Sequence, residues 1–380
     1  MSPPTTKGKQ TASKEPSASP IKRINLALQG GGSHGAFTWG VLDRLLEEPS
    51  LHIDSISGTS AGAMNAVVLA DGFTRGNAIG RAAASLCARQ QLEKFWRAVS
   101  GAAQGSVVQR TPINRLLGNW SMNGSWGYHF SESVSRLFSP YETNPLNINP
   151  LKNLLESVVD FDNVNQCNDI KLFISATNVH TGRVKVFDSH NLSSDIVLAS
   201  ACLPQVFQAV EIDGIPYWDG GYMGNPSLFP FRDHTDTADI VVVQINPVER
   251  IGVPRTTQEI QNRLNEINFN SSLLKELRAI DFVTRLLDEG KLDEQHYRRE
   301  RIHIIENQDE LIPLGASSKV NAEWKFLQHL RDVGRDTADR WIGENFDQIG
   351  VASTVDLPAM FNGTGPSGES SGESTDRKAS

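Results

Sequence analysis

The chain has 380 residues and a formal net charge of −8, which argues against general nucleic-acid binding because that needs a basic surface. With 39% hydrophobic and 21% charged residues it can bury a sizeable core, as one large α/β domain with an extension or as two domains. Three widely spaced cysteines (Cys87, Cys167 and Cys202) with no Cys-x-x-Cys fit reduced thiols in a cytoplasmic protein better than a disulfide framework or a zinc site.

Residues 1–22 are rich in Pro, Ser, Thr and Lys without an apolar stretch, a disordered basic tail rather than a Sec-type signal; an address for a secretion system is the alternative. Arg23 to Gln29 reads as a buried parallel strand. It runs into Gly30-Gly31-Gly32-Ser33-His34-Gly35 and then a helix with Phe37, Val41, Leu42, Leu45 and Leu46 at helical spacing, stopped at Pro49. Leu51 to Ser57 is the next strand, followed by Gly58-Thr59-Ser60-Ala61-Gly62 and a helix over 63–70. This βαβα opening predicts a parallel sheet with right-handed crossovers.

A further helix is expected over 74–99. From Gly101 to Pro150 the pattern breaks up around Trp120, Trp126, Tyr128, Phe130, Phe138 and Tyr141. That segment is either a cap over an apolar substrate site or a set of short helices packed on the core. Next come a helix over 151–159, strands over 171–177 and 184–187, and a small-residue helix from Ile196 stopped by Pro204. Val206 to Val210 leads to a hairpin at Asp213-Gly214, then to Tyr217-Trp218-Asp219-Gly220-Gly221, and 239–245 is a fully apolar strand. Beyond Pro254, helical spacing holds over 260–287 and 320–345, with a strand at 302–305 between them. By default this part covers a sheet edge or mediates self-association. The 362–380 tail carries no core-forming residues. No apolar run is long enough to span a bilayer, so any work on membranes is done from the water side.

Two glycine loops carry the chemistry. Strand, Gly58-x-Ser60-x-Gly62 and helix describe a nucleophile elbow, in which the glycines permit a tight turn and the helix N-terminus adds positive potential. Gly30-x-Gly32-x-x-Gly35 after a strand also satisfies a dinucleotide-binding fingerprint, with Asp54 as a ribose acid. That reading, an oxidoreductase, stays open as an alternative. Against it, Asp54 lies mid-strand and the second loop has no task. The same glycines can instead aim backbone N–H groups at an oxyanion. A base for Ser60 must come from elsewhere. Of His129, His180, His190, His234, His296, His303 and His329 none sits in a motif, and His234 with Asp233 and Asp236 lacks metal-ligand spacing. Asp219, after a strand and before two glycines, is the other candidate; a plain β-turn aspartate is the bland reading.

Assembled in order, these blocks resemble the patatin-like phospholipases (lipid acyl hydrolases), of the bacterial type with a C-terminal helical extension. The matching blocks are Gly30 to Gly35, Gly58 to Gly62, Ala199-Ser200-Ala201-Cys202-Leu203-Pro204-Gln205-Val206-Phe207, and Asp219-Gly220-Gly221. The resemblance spans roughly residues 23 to 230. It implies an α/β fold of three αβα layers around a mainly parallel sheet. It divides the chain into a 1–22 tail, a 23–250 catalytic domain, a 251–361 helical extension packed on the core and a 362–380 tail.

It also implies a serine acyl hydrolase of fatty-acyl esters of phospholipids and other lipids, with Ser60 and Asp219 as a catalytic dyad. Gly30, Gly31, Gly32 and Ser33 are the implied oxyanion hole, with no cofactor and no metal. The expected partner is a lipid or acyl-ester substrate, with peripheral membrane contact open to a cytoplasmic protein. A non-catalytic, partner-binding member of the family is the further alternative. One departure stands out. The family loop carries Arg or Lys before its last glycine, whereas this chain has His34, charged only in part near neutrality.

Overall fold

The computed structural model describes residues 21–104, 110–111, 114, 118–123 and 125–362. Of the tails expected over 1–22 and 362–380, residues 1–20 and 363–380 lie outside the described residues, whereas Lys22 already begins a strand and Asn362 ends a short helix, Leu357–Asn362. Eight strands form one sheet: β1 (Lys22–Leu28), β2 (Leu51–Gly58), β3 (Lys171–Asn178), β4 (Val184–Asp188), β5 (Val210–Ile212), β6 (Ile215–Asp219), β7 (Asp239–Val243) and β8 (Arg301–Ile305). The order is β5-β6-β3-β2-β1-β7-β8, with β4 also on β3. The pairs β3–β2, β2–β1, β1–β7 and β7–β8 are parallel. The β4, β5 and β6 pairings are antiparallel. The chain is thus a mainly parallel α/β sheet with an antiparallel margin.

Side-chain alternation along the strands builds a core on each face. Ile24, Leu26 and Leu28 of β1 and Val241 and Val243 of β7 point into one cluster, with Phe37, Val67, Phe95 and Phe326. Ala27, Ile240, Val242 and Ile302 point into the other, with Phe231, Leu273 and Leu277. Both faces are apolar, as parallel strands covered on both sides require. The first layer comprises α1 (Gly35–Leu45), α2 (Ala61–Asn77), α3 (Arg81–Ala103) and, from the end of the chain, the helix over 324–345. The result is three αβα layers.

The remaining helices named here are α4 (Trp126–Leu137), α5 (Ser194–Ser200), α6 (Thr257–Asp288) and α7 (Trp324–Asn345). The elbow helix runs seven residues past the stretch expected for it, and α3 begins only at Arg81, after Gly80 turns the chain at φ 129°. Gly72 and Gly76 do not break α2. They sit where it crosses α3, each too close for a Cβ, which would come within 2.6 Å of Ala88 Cα and 2.5 Å of the Ala83 carbonyl. The helix expected from Ile196 to Pro204 ends at Ser200, and a turn over 204–206 with a bend at 207 precedes β5.

The segment after residue 250 is woven into the layers. Its β8 extends the sheet as the edge strand beyond β7, α6 covers one face and α7 the other. Among the described residues of the aromatic stretch, Trp120 stacks on His329 and meets Phe326. By contrast, α4 turns Trp126 and Phe130 outward, 78% and 56% exposed.

Candidate active site

β2 delivers Ser60 at its carboxyl end, and α2 begins at the next residue. Ser60 has φ 54° and ψ −119°, a conformation that strains a residue bearing a Cβ and persists only where the surroundings impose it. They do so here through hydrogen bonds. Thr59 N–H donates to the Leu28 carbonyl (3.3 Å) and Gly62 N–H to that of Thr59 (2.8 Å). Thr59 Oγ1 donates to the Gly224 carbonyl at 2.6 Å, and Ser60 N–H donates to Ser200 Oγ on α5 at 2.9 Å. Gly62 must be glycine, since a Cβ there would lie 2.2 Å from the Leu28 carbonyl oxygen. The serine stands over the first turn of α2, where the helix dipole favours negative charge.

The first glycine loop lies directly against this elbow, because a Cβ on Gly30 would come 2.7 Å from Ser60 Cβ. Of the four loop amides expected to face an oxyanion, that of Gly30 is already committed, donating to Asn225 Oδ1 at 2.7 Å. Gly31, Gly32 and Ser33 open a 3₁₀ turn (Gly32–His34) that leads into α1, and first-turn N–H groups have no intrahelical acceptor. A buried amide network backs the loop. Gln29 Oε1 accepts from the N–H of Ile245 (2.9 Å) and of Asn246 (3.0 Å), and Asn246 Nδ2 donates to the Gly30 carbonyl at 2.8 Å.

Asp219 closes β6 and caps the turn that follows, its Oδ1 accepting from Gly221 N–H at 2.7 Å. It is 1% exposed and lies against the elbow, where a Cβ on the adjacent Gly220 would come 3.0 Å from Thr59 Cγ2. Two loops 159 residues apart in the chain therefore meet. Burial pushes the Asp219 pKa up to about 7, opposed by the Gly221 hydrogen bond, by Ser60 and by the charge of Lys319. A carboxyl group poised there can exchange a proton with a hydroxyl near neutrality. Cys202, whose carbonyl holds the Asp219 N–H at 2.8 Å, is no rival nucleophile, since burial pushes its thiol up to about 11.

No hydrogen bond described for Ser60 or Asp219 involves a histidine. His303 is fully buried on Asp239 (3.1 Å), His296 pairs with Asp293 and His234 stacks on Phe173. Asp54 lies mid-strand in β2, bound to Arg23 and Thr237, which leaves the dinucleotide reading without its ribose acid. His34 is neutral rather than partly charged, because burial and the neighbouring Lys319 lower its pKa to about 3. Its Nε2 shares a 2.7 Å hydrogen bond with Ser318 Oγ.

Three residues went unassigned by sequence reasoning. Ser200 lay in a quoted block with no role attached. Asn225 and Lys319 carried no motif at all.

No protein with a curated description matches the chain. Among solved structures it resembles VipD from Legionella pneumophila, with 14% identity over 82% of this chain and 67% of that one, at a TM-score of 0.32. It also resembles ExoU, seen in a heterodimeric complex with SpcU from the type III secretion system of Pseudomonas aeruginosa. There the identity is 15% over 86% of this chain, at a TM-score of 0.33. The chain spans about half the length of ExoU, 52%. The family model of the patatin-like phospholipases matches residues 26–232, more than half of the chain, including both glycine loops and Asp219. The chain belongs to the patatin-like phospholipase family and is a lipid-ester hydrolase.

Proposed function

We propose that the chain cleaves fatty-acyl esters of phospholipids and related lipids with Ser60 as nucleophile and Asp219 as its base. The observation that carries this is the meeting of a strained, elbow-borne Ser60 with the turn of a buried Asp219, where a Cβ on Gly220 would lie 3.0 Å from Thr59 Cγ2, together with an Asp219 pKa pushed up to about 7. Asp219 accepts the Ser60 proton as Oγ attacks the acyl carbonyl. The carbonyl oxygen, now an oxyanion, takes hydrogen bonds from the amides of Gly31, Gly32 and Ser33. Asp219 then passes the proton to the leaving alcohol, which departs and leaves an acyl-serine ester. Water attacks that ester, giving a proton to Asp219 that returns to Ser60 as the fatty acid leaves.

Among the described residues no helix is long and apolar enough to cross a membrane. The outward Trp126, Phe130, Leu137, Phe138 and Tyr141 support contact with a lipid surface. Their segment is tied to the chain leading into β5, as Gln208 Nε2 donates to the Asn144 carbonyl (2.8 Å) and Ala209 N–H to Tyr141 Oη (3.3 Å). The three free thiols support a reducing, cytoplasmic setting. A fluorophosphonate probe tests the dyad: it labels the wild type at Ser60 and fails to label Ser60→Ala. Labelling that survives Ser60→Ala would refute the assignment.

A further inference from the structure

The glycine loop carries no permanent cation of its own, yet a lysine from nearly 290 residues further on stands behind it. Lys319 lies in a 3₁₀ turn, Ala316–Val320. The residue as a whole keeps partial exposure, while its ammonium end is enclosed among buried groups. Nζ donates to Asn246 Oδ1 at 2.7 Å, and it is the same Asn246 that holds the Gly30 carbonyl. The Lys319 backbone carbonyl presses on Gly32, where a Cβ would come within 2.5 Å of it and where φ is +58°. The adjacent Ser318 holds His34.

On its other side the ammonium lies 5.6 Å from the centre of the Phe269 ring. That ring closes over Gly221, where a Cβ would meet Phe269 Cε1 at 2.4 Å, and Gly221 is the amide that holds Asp219. Lys319 therefore bridges the oxyanion-side loop and the turn that carries the base.

The charged and titratable groups around it decide what its charge does. Glu266 on α6 is matched by Arg250 (2.6 Å) and Arg263 (3.1 Å). His34 on the loop is neutral. Near Asp219, burial raises the pKa of both Cys202 and Tyr222 and keeps them uncharged. Among the described residues, Lys319 is the charge that acts on Asp219 to favour its ionised form. Burial in turn lowers the Lys319 pKa to about 8, against the pull of Glu266 and Asp219.

We propose that Lys319 is a positioning residue of the hydrolytic site: its ammonium is the counter-charge to Asp219 and its turn clamps the glycine loop in place. This inference rests on Ser60 and Asp219 acting as the dyad. It gives the enzyme a narrow working window, in which Asp219 must have lost its proton and Lys319 must still hold one.

The test is kcat/KM against pH for the full chain on a water-soluble p-nitrophenyl acyl ester, with Ser60→Ala and Asp219→Asn as controls. The wild type gives a bell-shaped profile. Lys319→Met loses about tenfold or more at the optimum, its acid limb moves to higher pH, and its alkaline limb disappears. Lys319→Gln keeps a partner for Asn246 without the charge, so it reproduces the limb shifts even if the methionine variant fails to fold. Lys319→Arg, cationic at all working pH values, retains more of the rate than Lys319→Met and holds it above pH 8. Wild-type limbs and rates within twofold in both the Gln and Met variants overturn the inference while leaving the dyad intact. An Asp219→Asn protein of wild-type rate overturns the dyad itself, and this inference with it.

Discussion

Two aspartates in one sheet, almost equally shielded from water, have opposite chemistry. Asp219 at the carboxyl end of β6 is 1% exposed and Asp239 at the start of β7 is 2% exposed. Burial raises the pKa of both. For Asp239, hydrogen bonds from His303, Arg301 (2.9 and 2.6 Å) and the Gly350 N–H (2.9 Å) outweigh it and hold the carboxyl well below the usual range. Asp219 has one backbone N–H on its carboxylate, with Ser60 and the Lys319 charge favouring its ionised form more weakly, and its pKa rises to about 7. Both are shielded from water, but Asp219 lies deeper and has fewer partners, and depth and partners together decide which carboxylate is a strut and which is a base. A protein that wanted only stability would not leave Asp219 so thinly matched.

The comparison breaks most clearly on turnover. Asp219→Asn lowers kcat by about 10³-fold or more, in the upper range for loss of a general base, whereas Asp239→Asn leaves kcat of the folded protein within a few fold; stopped-flow ester hydrolysis reads both. Stability runs the other way. Asp239→Asn leaves Arg301 and His303 short of a partner and costs about 3 kcal/mol in urea unfolding.

Asp219→Asn instead stabilises. A carboxyl whose folded pKa is raised binds its proton more tightly when folded, so stability falls as pH rises from the unfolded value of 3.8 toward about 7. Neutral asparagine escapes that loss, by at most about 4 kcal/mol. The gain in melting temperature is therefore seen at pH 8 and nearly vanishes at pH 4, and an equal gain at both would refute the linkage. The same ionisation makes kcat/KM of the wild type fall about tenfold per pH unit below 7, a limb absent from Asp239→Asn only if the two carboxylates have been assigned the wrong way round. The smallest effect is at Ser200. Removing its hydroxyl orphans the Ser60 N–H and costs about 1 kcal/mol of elbow stability, read as a several-fold drop in probe labelling rate.

Much of this was legible in the chain. The alternating Arg23 to Gln29 and the apolar 239–245 run announced parallel strands, and the two glycine loops with Asp219 named the meeting point. The elbow could be read because Gly58 answers to a local constraint, a Cβ clash with the Gly62 carbonyl four residues on. What resisted reading depends on long-range packing. Gly72 and Gly76 look like helix breakers until the crossing with α3 is seen. Gly30 looks like one more oxyanion donor until Asn225, 195 residues on, takes its N–H. The neutral state of His34 follows from burial under a later turn, which no local pattern records.

The weaving of Ser318 and Lys319 behind the glycine loop also bears on how the enzyme comes into being. A chain still on the ribosome, or one clipped before residue 301, already holds its serine, its aspartate and both glycine loops, yet has no wall behind Gly32 and no β8 flanking β7. On the proposed roles of Ser60, Asp219 and Lys319, competence waits for a turn made well after the base, and a nascent or broken copy carries the reactive parts without the means to use them.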